Sequence, residues 1–120
     1  MKKQLLVVLC FGLASAGAYA AGTTVCNKGT PTAVTPAATA KFIKQGFSVK
    51  CSANTIVKYE ETDESVAVAG ASTKGGNVFI GNSAGGSVKA DVTKCTGTKQ
   101  VCLEADVDTA MPNAVKMGTS

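Results

Sequence analysis

TIVKYEETDESVAVAGASTKGGNVFIGNSAGGSVKADVTKC, residues 55–95, is the stretch that decides the fold. Its side chains alternate in character. In TIVKYEE, Thr55, Val57 and Tyr59 fall on one side, with Ile56, Lys58 and Glu60 opposite. In SVKADVTKC, Val88, Ala90 and Val92 alternate with Lys89, Asp91 and Thr93. A period of two is the period of a strand. Short alternating runs broken by Gly, Ser and Asn read as antiparallel strands. The breaks are Thr62-Asp63-Glu64, Lys74-Gly75-Gly76 and the run from Gly81 to Ser87. Upstream, FSVKC at 47–51 alternates too, before a turn at Ser52-Ala53-Asn54, and downstream VCLEADV at 101–107 would add a last strand. The expected fold is mainly β, a small antiparallel meander or sandwich of about five to six strands spanning 41–109.

The flanks carry weaker patterns. Residues 21–40 are rich in Thr, Ala, Gly and Pro and read as an extended N-terminal arm. Thr35 as N-cap, Pro36 at the first helical position and Gly46 as terminator would frame a short N-terminal helix over 36–45. A strand starting at KFI is the alternative. Residues 110–120 contain Pro112, show little periodicity, and read as a loose tail.

Residues 1–20 read as a secretory signal peptide. Lys2 and Lys3 precede the short apolar run LLVVLCFGLA, and Ala18-Tyr19-Ala20 is a small-x-small cleavage site. An uncleaved anchor is the alternative, but a membrane span needs roughly 20 apolar residues. Cleavage would take the basic residues from 12 to 10 against 8 acidic ones, so the formal charge falls from +4 to +2. The expected product is exported, periplasmic or at the cell surface, and not an integral membrane protein. Every basic residue is lysine. Bidentate reading of phosphate or guanine relies on arginine, so nucleic acid is not an expected partner.

Past the signal, Cys26, Cys51, Cys95 and Cys102 remain. An even count in a short exported chain predicts a disulfide framework. Four cysteines allow three pairings, and Cys95–Cys102 with Cys26–Cys51 is the preferred one. The first would close a hairpin of DVTKC and VCLEADV around TGTKQ, and the second would tie the arm to the domain. Zinc sites favour C-x₂₋₄-C spacing and redox pairs C-x-x-C. KCTGTKQVC has neither, and the chain has no histidine.

Few residues offer chemistry. Without histidine the usual general base and the Ser-His or Cys-His pairs are missing. Ser-Lys catalysis stays open, though no pair stands out by spacing. The loop Gly81–Ser87 lacks the lysine of a phosphate loop. Glu104, Asp106 and Asp108 in CLEADVD would share one face of a strand, a weak calcium candidate against a solvated face. Glu60, Glu61, Asp63 and Glu64 form a second acidic group in a turn, a remote glycosidase pattern. Lys74, Asn77, Asn82 and Ser83 on the Gly-rich loops are the guess for a binding surface, because binding residues concentrate on loops.

FSVKCSANTIVKY (47–59) and AVAGASTKGGNVFIGNSAGGSVK (67–89), with the late cysteine pair, resemble small exported proteins of proteobacteria that carry no assigned activity. The resemblance implies a periplasmic or surface antigen-like location rather than a mechanism. Type IV pilins and chaperone–usher pilins match less well: the first begin with a long apolar helix, the second with an alternating donor strand. The functional expectation is a non-enzymatic, disulfide-stapled envelope protein that binds a protein or envelope component and needs no cofactor. The alternatives are a small envelope hydrolase or enzyme inhibitor, and a fimbria-like structural subunit.

Overall fold

The computed structural model describes residues 22–36 and 42–118. The expected signal and half of the expected 36–45 helix, residues 37–41, lie outside the described residues. Residues 42–45 are described and form neither helix nor strand.

The alternating stretch forms a meander of β3 (Thr55–Glu61), β4 (Val66–Ser72), β5 (Asn77–Asn82) and β6 (Lys89–Lys94). Two strands from the arm, β1 (Thr23–Asn27) and β2 (Thr30–Pro31), extend it to a six-stranded antiparallel sheet of order β2-β1-β3-β4-β5-β6. The arm is extended, as expected, but it is part of the sheet. Its hairpin turns at Lys28 and Gly29, both with positive φ (53° and 95°). That is the left-handed pair a two-residue turn requires, and glycine takes it without strain. FSVKC contributes only an isolated bridge, Val34 with Phe47.

The C-terminal expectations are corrected. VCLEADV is not a strand, and 110–117 is not a loose tail; a helix α1 runs over Glu104–Met117. Its buried residues include Val107, Ala110, Met111 and Ala114, with Val115 packed beside them. That i, i+3, i+4, i+7, i+8 spacing is a helical stripe. Pro112 lies inside the helix. Lacking an N–H, it leaves the Asp108 carbonyl without its usual donor, at a cost of about 3 kcal/mol. Tertiary packing outweighs that: Met111 and Val107 are fully buried, each side chain contributing about 1.5–3 kcal/mol.

The helix seats on the sheet face that carries Ile56, Ala67, Ala69, Ala71, Val78 and Ile80. Three alanines on the middle strand let the helix axis come close. Polar ties surround this seat. Asp106 accepts the Thr96 hydroxyl at 2.6 Å, the Thr96 N–H at 3.1 Å and the Leu103 N–H at 2.8 Å. Asp91 accepts the Asn113 amide N–H on both carboxylate oxygens at 3.0–3.1 Å, and the Thr93 N–H at 3.0 Å. Asn82 Nδ2 donates to the Ala114 carbonyl at 3.0 Å.

Two disulfides form with the expected pairing, Cys26–Cys51 and Cys95–Cys102. The second closes a different element from the one expected. It joins the end of β6 to the entry of α1, not two strands of a hairpin. Inside its ring the chain turns tightly. A Cβ on Gly97 would stand 2.6 Å from the Val101 carbonyl oxygen, so only glycine fits there. Both sulfurs of this pair lie in the main core, whereas Cys26 belongs to a second cluster on the other sheet face.

Candidate functional site

The second cluster is built by the face that α1 does not cover. Cross-strand pairing puts Val57 opposite Gly70 and Gly70 opposite Phe79, with Tyr59 opposite Val68 on the same side. A bulge in β1 between Thr24 and Cys26 turns both Val25 and Cys26 towards this face, where both are buried. Over the β1–β3–β4 half lies a cover formed by residues 42–51.

The cover is held in three ways. At its start, Glu61 Oε2 accepts the N–H of Phe42 at 3.2 Å and of Ile43 at 2.9 Å. At its middle, Val34 and Phe47 exchange backbone hydrogen bonds at 2.7 and 3.0 Å. At its end, Cys51 is bonded to Cys26 of β1. Between cover and sheet is a cavity of about 330 Å³. Val57, Tyr59, Val66 and Val68 form its floor, Val34, Ile43, Phe47 and Val49 its roof. Lys50, Ser52 and Thr55 line one end, and Lys50 is the single charged residue in its wall among the described residues. Beyond the cover the apolar surface continues in the open: Phe79 and Val92 are 49% and 85% exposed.

The residues singled out in the sequence fall elsewhere. Glu104, Asp106 and Asp108 do not share a face. On a helix, residues four apart meet and residues two apart diverge. Glu104 and Asp108 therefore both reach Lys58, at 2.9 and 2.6 Å, while Asp106 turns back to cap the helix start. The calcium candidate is thus dispersed; among the described residues no three acidic or thiol groups gather. Lys58 is buried. Burial disfavours its charge, but the hydrogen bonds and fields of Asp108 and Glu104 outweigh burial and raise its pKa. Lys58 lowers the pKa of Glu104 in return. Burial likewise works against charge on Asp106 and Asp91. The hydrogen bonds from Thr96 and Leu103 to the first, and from Thr93, Asn113 and Val92 to the second, prevail and hold both below the ordinary carboxylate value.

The loop residues named from the sequence also make hydrogen bonds within the fold. Asn82 Oδ1 accepts the Ala84 N–H at 2.8 Å, and Ser83 Oγ accepts the Val66 N–H at 2.8 Å. Asn77 Oδ1 accepts from Lys94 Nζ at 2.8 Å, and the N–H of Lys74 donates to Ser72 Oγ at 3.2 Å. These groups shape turns and pin strands. Of the second acidic group, Glu61 holds the cover, and Thr62 Oγ1 organises the turn by accepting the N–H groups of Glu64 and Ser65.

Sequence reading missed the cavity. Its signal was the pairing of FSVKC with the arm: Phe47, Val49 and Cys51 share a face there, and the Cys26 partner placed that face over β1. No family model, curated protein or solved structure matches the chain.

Proposed function

We propose that the protein is an exported, non-enzymatic binding protein of the envelope, and that the cavity under the cover is its binding site. The observation that carries this reading is the cavity itself. It is a half-open groove with an apolar floor and roof, its cover is bonded to β1 by a disulfide, and it has a few polar groups at one end. Small-molecule sites have that composition and are about 300–1,000 Å³ in volume. Three further facts support it. Both disulfides fit an oxidising compartment. No helix among the described residues is long and apolar enough to cross a membrane. Glu61, Asp91, Glu104, Asp106 and Asp108 are engaged by Lys58, by backbone N–H groups and by Asn113.

The test uses N-phenyl-1-naphthylamine, a neutral apolar dye that fluoresces out of water. The oxidised protein is expected to bind it saturably, one per chain. Val68 lines the cavity and is exposed enough to accept a charge without unfolding the sheet. Val68→Glu should weaken dye binding, and Val92→Glu on the open strip should not. Non-saturable binding, or equal loss in both variants, would remove the cavity from the account.

A further inference from the structure

We infer that the ligand is a single-chain amphiphilic carboxylate, a molecule of the medium-chain fatty-acid type, lying along β3 with its head group at Lys50. The inference rests on the reading of the cavity as the binding site.

The cavity is polarised along its length. Thr55 and Tyr59 both line it, four residues apart on one strand, a span of about 13 Å at 3.3 Å per residue. At the Thr55 end stand the ammonium-bearing Lys50 and the hydroxyls of Ser52 and Thr55. At the far end are Ile43 and Val66, with no charged residue in the wall among the described residues. The Glu61 carboxylate at that end is engaged by the N–H groups that fix the cover. No acidic residue among those described pairs with Lys50. The wall thus offers a cation and hydroxyl donors to a head, and aliphatic side chains to a tail.

Charge and size then select the occupant. A carboxylate gains a charge-assisted hydrogen bond from an ammonium; an alcohol gains less, and a quaternary ammonium is repelled. A volume of about 330 Å³ lies at the small end of ligand sites, and with a length of about 13 Å it suits one short chain rather than the two chains of a bilayer lipid.

Displacement of the bound dye separates the possibilities. Decanoate should displace it at about five- to tenfold lower concentration than decanol, and decyltrimethylammonium should be weakest. Affinity should climb about fourfold per methylene from hexanoate to decanoate, then level off at dodecanoate. Lys50 is exposed, so Lys50→Gln should fold normally. It should abolish the preference for decanoate while leaving decanol unchanged. Dye binding with equal displacement by decanoate and decanol overturns the carboxylate inference and leaves the binding-site reading standing. Absence of dye binding overturns that reading and the inference with it. Equal weakening of decanoate and decanol by Lys50→Gln overturns the head-group assignment. Co-flotation with phosphatidylglycerol vesicles that decanoate does not reverse overturns the choice of a free chain over a membrane.

Discussion

Glu61 Oε2 accepts the backbone N–H of Ile43 at 2.9 Å, and this bond fixes the start of the segment that roofs the cavity. The same oxygen takes the N–H of Phe42. The carboxylate at the end of β3 therefore ties the cover to the sheet by its backbone, without any side-chain recognition.

Glu61→Ala should release the start of the cover while leaving the sheet intact. A single net hydrogen bond is worth about 1 kcal/mol. Amide exchange at Ile43 and Phe47 should then speed up about fivefold, with exchange in β4 and β5 unchanged. Unchanged protection at Ile43 would show that the cover stands without this bond.

The two disulfides should differ in what they hold. Chain-entropy reasoning from sequence separations of 25 and 7 gives about 3.5 kcal/mol for Cys26–Cys51 and about 2.5 kcal/mol for Cys95–Cys102. The shorter ring also leads into the buried core, so its Ala,Ala variant should lose helix as well as stability. The Cys26→Ala, Cys51→Ala variant should keep the helix signal in circular dichroism and lose dye binding. Retained dye binding would place the site away from the cover.

Stability should be level from about pH 5 to pH 9. A carboxylate with a lowered folded pKa stabilises fully above its unfolded value, near pH 4, and that contribution is lost as pH falls through the folded value. Asp106, Asp91 and Glu104 are all lowered. Lys58 is raised, so its contribution is full below its unfolded value and is lost as pH rises through the folded one. Urea midpoints should drop on the acid side below about pH 4. Asp106→Ala should cost about 1–2 kcal/mol at pH 7 and flatten the acid limb. An acid limb equally steep in that variant would move the linkage to another group.

Much of the fold was legible because alternation is local. TIVKYEE, SVAVAGAS and NVFIG each carry their own strand signal, and the preferred cysteine pairing, one of three possible, is the one formed. The helix was not read, although Val107, Ala110, Met111, Ala114 and Val115 hold its spacing. Pro112 broke the local pattern, and the compensation for it comes from β3, β4 and β5, which are distant in sequence. The acidic residues misled for the same reason. Whether Glu104 faces Asp106 or Asp108 depends on the period of the backbone, and the wrong period gives the wrong neighbours. The cavity needs three separate segments, and no one of them announces it.

Lys58 tests whether its charge or its stem stabilises the helix seat. Glu104 and Asp108 keep 45% and 31% side-chain exposure, so water can take over from the ammonium. Lys58→Met should cost about 1 kcal/mol or less, and Lys58→Ala about 2–4 kcal/mol for the space left in the core. Equal losses in chemical denaturation would assign the stabilisation to the ion pairs.

The most direct test of the binding site is a methyl-resolved NMR titration of the oxidised protein with decanoate. The expected result is saturable movement of the methyl signals of Val34, Val57, Val66 and Val68, with Val78 and Val107 on the helix side at rest. Shifts confined to the exposed Val88 and Val92, or spread evenly over both faces of the sheet, would contradict a site beneath the cover.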